Sequence, residues 1–321
     1  MILLQRGDRI PAVGVAQRLI NVCRRKDHRL ASVPELDEDA IFGSGTVDAV
    51  KKAQGAVGLE DDGVIGPDTW RELSEIAKFR IVHVVDRAIE HMLKTVGPIA
   101  IRKLAIEKFR AKNPGKSEDK ARAYGDMILV KCSREVELFR HIADNYRSLG
   151  DNPIEITSMA DPLSEIRRGI DTRSRDGWQV VILRIVAHGG PGSQIIACSP
   201  FGSYTFSTDL ITWDDDDSPS ELVQTLLLEG MLNSVAKFGC LELHGCSIAK
   251  KQRPPKPGKP PHLTGSPYIQ ALANAVGRPA TAAVTKQQAS GGLRRSICFE
   301  GSTLTSYPGG STAGQWFRNN S

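Results

Sequence analysis

Two short turns near the N-terminus follow one plan, and this repetition constrains the fold of that region more than any other feature of the chain. Each turn has an aspartate, an apolar residue and a glycine, followed by a threonine at the start of a helical pattern. These residues are Asp39, Phe42, Gly43 and Thr46 in the first turn and Asp62, Ile65, Gly66 and Thr69 in the second. Glycine permits backbone angles that other residues avoid, and Asp or Thr can cap a following helix. Because apolar residues recur at helical spacing beside both turns, we predict a small three-helix unit over residues 1–78.

This unit resembles the peptidoglycan-binding domain family. The resemblance rests on the segments VGVAQRLINV, FGSGTVDAVKKAQ and GLEDDGVIGPDTWREL, which follow one another in the family's order. A longer charged insert, CRRKDHRLASVPELDED, departs from the family pattern between the first helix and the first turn. The resemblance implies a non-catalytic module that binds peptidoglycan, with contacts at Phe42, Gly43, Asp62, Gly63 and Trp70. The residues alone leave open whether the two aromatics are core residues and the glycines only turn formers.

The amino-acid composition restricts the classes of partner and the cellular location that we predict for the chain. The net charge is +5, and the basic residues form no stripe interleaved with aromatics, so we predict no nucleic-acid partner. No stretch approaches 18 uninterrupted apolar residues, so we predict no membrane span. The first residues, MILLQRGDRIP, lack the apolar region of a signal peptide. If the chain acts at the bacterial envelope or outside the cell, we expect a specialised secretion system to deliver it.

The spacing of the cysteines and histidines indicates neither a metal site nor a bound cofactor. None of the six forms a CxxC pair, which argues against a zinc ribbon and against a disulfide-rich scaffold. The histidines in residues 79–150 show no HExxH spacing. We therefore predict neither a metal nor a cofactor.

Residues 79–150 are predicted to form a helical connector. The segments IVHVVDRAIEHMLKTV and YGDMILVKCSREVELFRHIADNYRSL carry apolar residues every three or four positions, which favours two or three amphipathic helices. The segment KNPGKSED contains a Pro-Gly pair and is predicted to be a loop between them.

Residues 151–321 alternate between short apolar runs and helical segments. The runs IEITSM, WQVVILRIVA, CLELHG and PATAAVT are predicted strands, and PLSEIRRGI, PSELVQTLLLEGMLNSVAKF and PYIQALANAV are predicted helices. This alternation indicates an α/β domain on a mostly parallel sheet. The chain as a whole is thus predicted to be multidomain, α and α/β. The acidic run 214–217 and the Pro/Lys-rich segment KKQRPPKPGKPPH are predicted to be exposed loops.

Two predicted strands end in residues that can perform nucleophilic catalysis. One strand ends at His188-Gly189, and the other ends at Cys246. If these strands are adjacent and parallel, the thiol and the imidazole come together at one edge of the sheet, where such sheets usually carry reactive groups. His244, two residues before Cys246 on the same face, is an alternative base, and with the other two it could instead bind a metal.

The order strand, His-Gly, helix, strand, Cys resembles the caspase-like cysteine peptidase clan, which includes clostripain, gingipain and the self-processing domains of bacterial toxins. The resemblance rests on HGGPG and GCSIA at the strand ends, and the pentapeptide of true caspases is missing. It implies a caspase-like α/β sandwich in which Cys246 is the nucleophile and His188 is the acid/base catalyst. Backbone N–H groups of Gly189 and Cys246 would then form the oxyanion hole.

These predictions combine into a peptidoglycan-targeted cysteine peptidase whose substrate is a protein or a peptide cross-bridge, and which would suit the role of a secreted antibacterial effector. A peptidoglycan amidase or endopeptidase with the same Cys-His pair is one alternative. A wall-binding or structural protein with a non-catalytic α/β domain is the other.

Overall fold

A computed structural model describes residues 3–157, 162–190, 193–199, 202–207, 235–246, 248–250, 265–285, 299 and 302–320. The acidic run 214–217, most of the helix predicted over 219–238 and the Pro/Lys-rich segment over 251–262 lie outside these residues. No helix in the described ranges is both long and apolar enough to cross a membrane.

The N-terminal unit contains the three helices predicted from the sequence. They are α1 (Pro11–Lys26), α2 (Ser44–Ala56) and α3 (Pro67–Ala77), and a short 3-10 helix (His28–Leu30) follows α1. Pro11 and Pro67 occupy first-turn positions, where the missing N–H has no intrahelical partner to lose. Both N-cap residues after the two turns, Gly43 and Gly66, have extended backbones.

The connector begins with a strand, which corrects the prediction of a helix there. The segment IVHVVD belongs to β1 (Phe79–Asp86), and only its continuation is helical, as α4 (Ala88–Thr95). A short run of β-branched residues buried on both faces also satisfies helical spacing, so periodicity alone cannot separate the two states. The rest of the connector is helical as predicted, with α5 (Pro98–Lys112) and α6 (Glu118–Ser148) on either side of the predicted loop.

The remaining elements complete a six-stranded sheet and a smaller one. In chain order they are β2 (Ile154–Ile156), α7 (Pro162–Arg173), β3 (Gln179–Val186), β4 (His188–Gly190), β5 (Ser193–Ser199), β6 (Gly202–Ser207), β7 (Val235–His244), α8 (Ser266–Val276), β8 (Ala280–Ala283), β9 (Thr303–Ser306) and α9 (Ala313–Asn319). The large sheet has the order β2-β1-β3-β7-β8-β9, and all its pairs are parallel except β8-β9. This confirms the predicted mostly parallel sheet. Strands β4, β5 and β6 form a separate antiparallel sheet.

One local prediction in this part was wrong, and one strand was not predicted. Val235–Phe238 was predicted to end a helix but begins β7, where Val235 pairs with Val180. His188–Gly190 was placed at the end of the preceding predicted strand, and it forms a separate strand, β4, which pairs with β5. In both places the neighbouring strand supplies backbone partners that short sequence patterns do not reveal.

Helices cover both faces of the large sheet. One face packs against α7 and α8, through Ile166, Ile170, Ile269 and Leu272. On the other face, α6 covers the carboxyl half of the strands with Phe139, Ile142 and Tyr146. The amino half of that face, around Phe79, Ile182 and Cys240, packs against the N-terminal unit and α9 in one continuous core.

Candidate functional site

A buried glutamine holds the first turn of the N-terminal unit. Gln17, 2% exposed, donates from Nε2 to Asp39 Oδ1 over 2.8 Å and to the Ile41 carbonyl and Thr46 Oγ1 over 3.2 Å each. Its Oε1 accepts from the Ala40 N–H over 3.0 Å. One amide therefore joins helix α1 to the turn and to the first residues of α2.

The second turn repeats this arrangement around Gln54. Its Nε2 donates to Asp62 Oδ1 over 2.8 Å, to the Val64 carbonyl over 2.9 Å and to Thr69 Oγ1 over 3.0 Å. Its Oε1 accepts from the Gly63 N–H over 2.9 Å. The aspartate and threonine of the sequence motif are thus partners of a buried amide. We assigned no role to the glutamines from sequence, although both lie in the motif.

The five predicted ligand contacts lie at different depths. Phe42 and Trp70 are each 1% exposed and belong to the core. Gly43 is partly buried at the start of α2, and Asp62 is exposed but bonded to Gln54. Gly63 is buried with φ +77°, a backbone angle that favours glycine. The burial of both aromatics favours the core role that the sequence left open for them.

Strands β3 and β7 are adjacent and parallel, as the catalytic prediction requires. Val186 lies opposite His244, and the Ala187 N–H donates to the His244 carbonyl over 3.1 Å. His188 and Cys246 each lie two residues beyond this last pair. Because neighbouring strands are about 4.8 Å apart, their backbones leave the sheet side by side at its carboxyl edge.

His188 has an acidic neighbour that sequence reasoning missed. Its Nε2 lies 3.5 Å from Glu135 Oε2 on α6, and its ring meets Phe139 edge-on at 5.1 Å between centroids. These two atoms lie at ion-pair distance without a hydrogen bond between them, since His188 Nε2 has no hydrogen-bond partner in the described part of the chain. A carboxylate in this position can orient an imidazole and stabilise its charged form. No local pattern could reveal Glu135, which precedes His188 by an entire helix and two strands.

Cys246 differs from the other cysteines whose side chains are described. It is partly exposed, whereas Cys23, Cys132 and Cys240 are buried. Burial raises the pKa of Cys23 to about 12 and of Cys132 to about 11, and it raises the pKa of Cys240 well above its ordinary value. These three thiols therefore remain protonated at neutral pH.

His244 is suited to a structural role. It is 6% exposed, stacks on Phe299 at 3.8 Å between ring centroids, and places Nε2 3.4 Å from Glu242 Oε2. Burial lowers its pKa to about 4 despite this carboxylate, which makes it a weak base at neutral pH. Within the described residues, no group of three or more His, Cys, Asp or Glu side chains is placed to hold a metal ion.

A row of polar side chains, all buried except the half-buried Thr305, crosses the large sheet beside the candidate dyad. Consecutive strands bring into register His83, Arg184, Glu242, Thr281 and Thr305. Arg184 and Glu242 are both 0% exposed, and Arg184 donates to Glu242 Oε2 from Nε over 2.8 Å and from Nη2 over 2.6 Å. Burial alone would raise the pKa of Glu242, but Arg184 and His244 outweigh it and hold that pKa at about 2.

The predicted oxyanion donor Gly189 lies inside β4, opposite Gln194. Its backbone therefore belongs to a strand pair rather than to an open turn. The catalytic roles of Gly189, His188 and Cys246 stay predictions.

Part of the N-terminal unit is similar to a known domain family. Residues 26–73 match the peptidoglycan binding domain family. The matched segment runs from the last residue of α1 through both turns and α2 into α3. The sequence matches no curated protein. The match supports peptidoglycan as a partner of this chain and association with the cell wall.

Proposed function

We propose that this protein is a peptidoglycan-bound cysteine hydrolase with a caspase-like α/β domain, in which Cys246 is the nucleophile and His188 the acid/base catalyst. The register of β3 and β7 carries the proposal, because it supports a thiol and an imidazole side by side at the carboxyl edge of the sheet. Open α/β sheets commonly bind their ligands at this edge. The N-terminal unit would hold the hydrolase at the wall.

In the proposed reaction, His188 takes the proton of the Cys246 thiol, and the thiolate attacks the carbonyl carbon of a peptide bond. Backbone N–H groups of Gly189 and Cys246 donate hydrogen bonds to the oxygen that becomes negative. The C–N bond breaks, and His188 returns the proton to the leaving amine. Water then hydrolyses the thioester, which releases the acid and restores the thiol.

Glu135 completes the proposed site as a positioning residue. Its side chain is 12% exposed and lies at ion-pair distance from His188. When His188 carries the proton between the two half-reactions, this carboxylate would stabilise the imidazolium and fix its orientation. The group comes from α6, so the proposed site requires α6 to stay packed on the sheet.

Substitution tests the proposed dyad. Cys246→Ala and His188→Ala should each abolish hydrolysis of purified peptidoglycan or of a protein substrate, because each removes one partner of the proton transfer. Cys132→Ala, which removes a buried thiol on α6, is the matched control and should retain activity. Fragment analysis distinguishes a peptidase, which cuts within peptides, from an amidase, which separates peptide from glycan. Activity retained in both dyad variants would contradict the proposal.

Thiol labelling provides a readout that requires no substrate. Iodoacetamide should modify Cys246 before Cys23, Cys132 and Cys240, with mass spectrometry locating each adduct, because those three are buried and protonated. His188→Ala should slow the labelling of Cys246. If Cys246 reacts no faster than the buried thiols and the chain hydrolyses nothing, the second function applies, a wall-binding protein with a non-catalytic α/β domain.

A further inference from the structure

A cleft of about 600 Å³ separates the charged insert of the N-terminal unit from the amino edge of the large sheet. The insert contributes Arg25, Lys26 and residues 35–38 to one wall. The start of β1 at Phe79, together with Phe238 and Phe317, contributes apolar surface. This is the size range of clefts that bind small ligands. The insert that departs from the family pattern therefore builds a concave surface where the N-terminal unit joins the sheet.

Hydrogen bonds join the elements that form the walls of the cleft. Arg18 donates to Glu38 Oε2 over 2.7 Å, to the Asn320 carbonyl over 2.8 Å and to the Phe317 carbonyl over 3.0 Å. Asn21 donates to the Leu36 carbonyl over 2.9 Å and accepts from the Leu36 N–H over the same distance. These bonds join α1 to the insert and to α9, so the cleft is formed before a ligand arrives.

Charges of both signs line the cleft without protein partners. Arg25 and Asp37 are exposed and form no ion pair or hydrogen bond within the described residues, and Lys26 bonds only to the Ala77 carbonyl, over 3.1 Å. Other charges of the insert are paired, Glu38 with Arg18 of α1 and Arg24 with Glu35. A ligand that carries both a carboxylate and an ammonium group would satisfy Arg25 and Asp37 together.

We propose that this cleft binds the peptide stem of peptidoglycan, an inference that rests on the proposed wall-binding function and names its ligand. Peptide stems carry free carboxylates and amino groups, whereas glycan strands are largely uncharged. The cleft lies at the amino ends of β1 and β3, and the candidate dyad lies beyond their carboxyl ends. The eight residues of β3 span about 26 Å. A stem bound in the cleft is thus an anchor, distinct from the bond that the dyad would cut.

The test measures binding of the full chain to purified sacculi by co-sedimentation. Arg25→Glu and Asp37→Lys should each raise Kd about tenfold, because each replaces an attraction with a repulsion. Lys52→Glu and Asp48→Lys make the same charge changes on the exposed face of α2, outside the cleft, and should leave Kd unchanged. Peptide stems released from the sacculi should compete, and oligomers of N-acetylglucosamine should not.

Because the two cleft variants change the charge in opposite directions, they distinguish binding at the cleft from general electrostatic attraction between the wall and the basic chain. If Arg25→Glu weakens binding while Asp37→Lys strengthens it, and the α2 variants do the same, the wall attracts the basic chain as a whole and the cleft proposal is overturned. Unchanged binding in both cleft variants also overturns it, while leaving wall binding intact. Failure of the wild-type chain to sediment with sacculi would instead refute the wall-binding function, and the cleft proposal with it.

Discussion

At the scale of single residues, the turn motif of the N-terminal unit is explained by two buried amides. Gln17 and Gln54 each bond an aspartate side chain, a threonine hydroxyl and two backbone groups of a turn. Backbone groups in turns must find partners when helices pack over them. A glutamine offers two donors and two acceptor positions on one flexible side chain, so it satisfies several of these groups at once.

Replacing one of these two buried glutamines should destabilise the protein more than replacing an exposed surface residue. We expect Gln54→Ala to lower the free energy of unfolding by about 2–3 kcal/mol, because it leaves the buried Gly63 N–H without its acceptor and removes the bonds of the amide to Asp62 and Thr69. Urea unfolding followed by circular dichroism measures the change. Lys52→Ala on the exposed face of α2 is the control and should stay within about 0.5 kcal/mol of wild type. If both variants lost the same amount of unfolding free energy, the stabilising role of Gln54 would be refuted.

At the scale of elements, the wrong and the correct predictions have a common origin. Strands β3 and β8 were predicted because they are apolar runs bounded by turn residues, while β1 has the same composition but continues into the helical pattern of α4. What makes β1 a strand is its position between β2 and β3, which supply backbone partners along both edges. That position is a property of the assembled sheet.

The buried pair between β3 and β7 is an element-scale feature, because strand register alone places Arg184 opposite Glu242. Glu242→Ala should cost about 3–5 kcal/mol of unfolding free energy, since it removes the carboxylate that balances the buried guanidinium charge. The double change Arg184→Met with Glu242→Leu should recover most of this loss, because it removes both charges and keeps apolar volume. Chemical denaturation of the three chains measures both effects. A double variant as unstable as Glu242→Ala would contradict the pairing argument.

At the scale of the whole molecule, the N-terminal unit and the sheet form one packed body. Apolar residues of α1 and α3 share a core with Phe79, Ile182 and Cys240 of three central strands. Arg18 also bonds two carbonyls at the end of α9, which joins the two ends of the chain. The N-terminal unit is therefore joined to the sheet by a shared core, and if it binds the wall as proposed, that binding would fix the direction in which the carboxyl edge of the sheet faces.

Stability of the whole molecule should fall with acidification. Burial lowers the pKa of His83 to about 3 and of His244 to about 4, below the unfolded value of roughly 6.5. The unfolded chain therefore binds protons first as pH falls from about 6.5, and each histidine removes up to about 1.4 kcal/mol of stability per pH unit down to its folded pKa. Glu242 and Asp151, both with pKa held at about 2, extend the loss below about pH 4.

Denaturant unfolding at several pH values checks this expectation. His83→Gln should flatten the dependence of unfolding free energy on pH between about 6.5 and 4, whatever it does to absolute stability. The side chain of His28 is 97% exposed, and His28→Gln is the surface control, which should change the dependence less than His83→Gln. A stability that stays constant or rises on acidification would contradict the assignment of His83 and His244 as buried neutral groups.

The sequence by itself determined the features that depend on neighbouring residues. Turn chemistry and helical spacing sufficed for the three-helix unit, and short apolar runs sufficed for a mostly parallel sheet, because glycine, proline and side-chain periodicity act over a few residues. Tertiary structure decided the rest. Packing of distant segments buries Phe42 and Trp70. It also brings Glu135 close to His188 and pairs Arg184 with Glu242, although these residues are distant in the chain. Such contacts depend on which elements pack together, and short sequence patterns do not predict that packing.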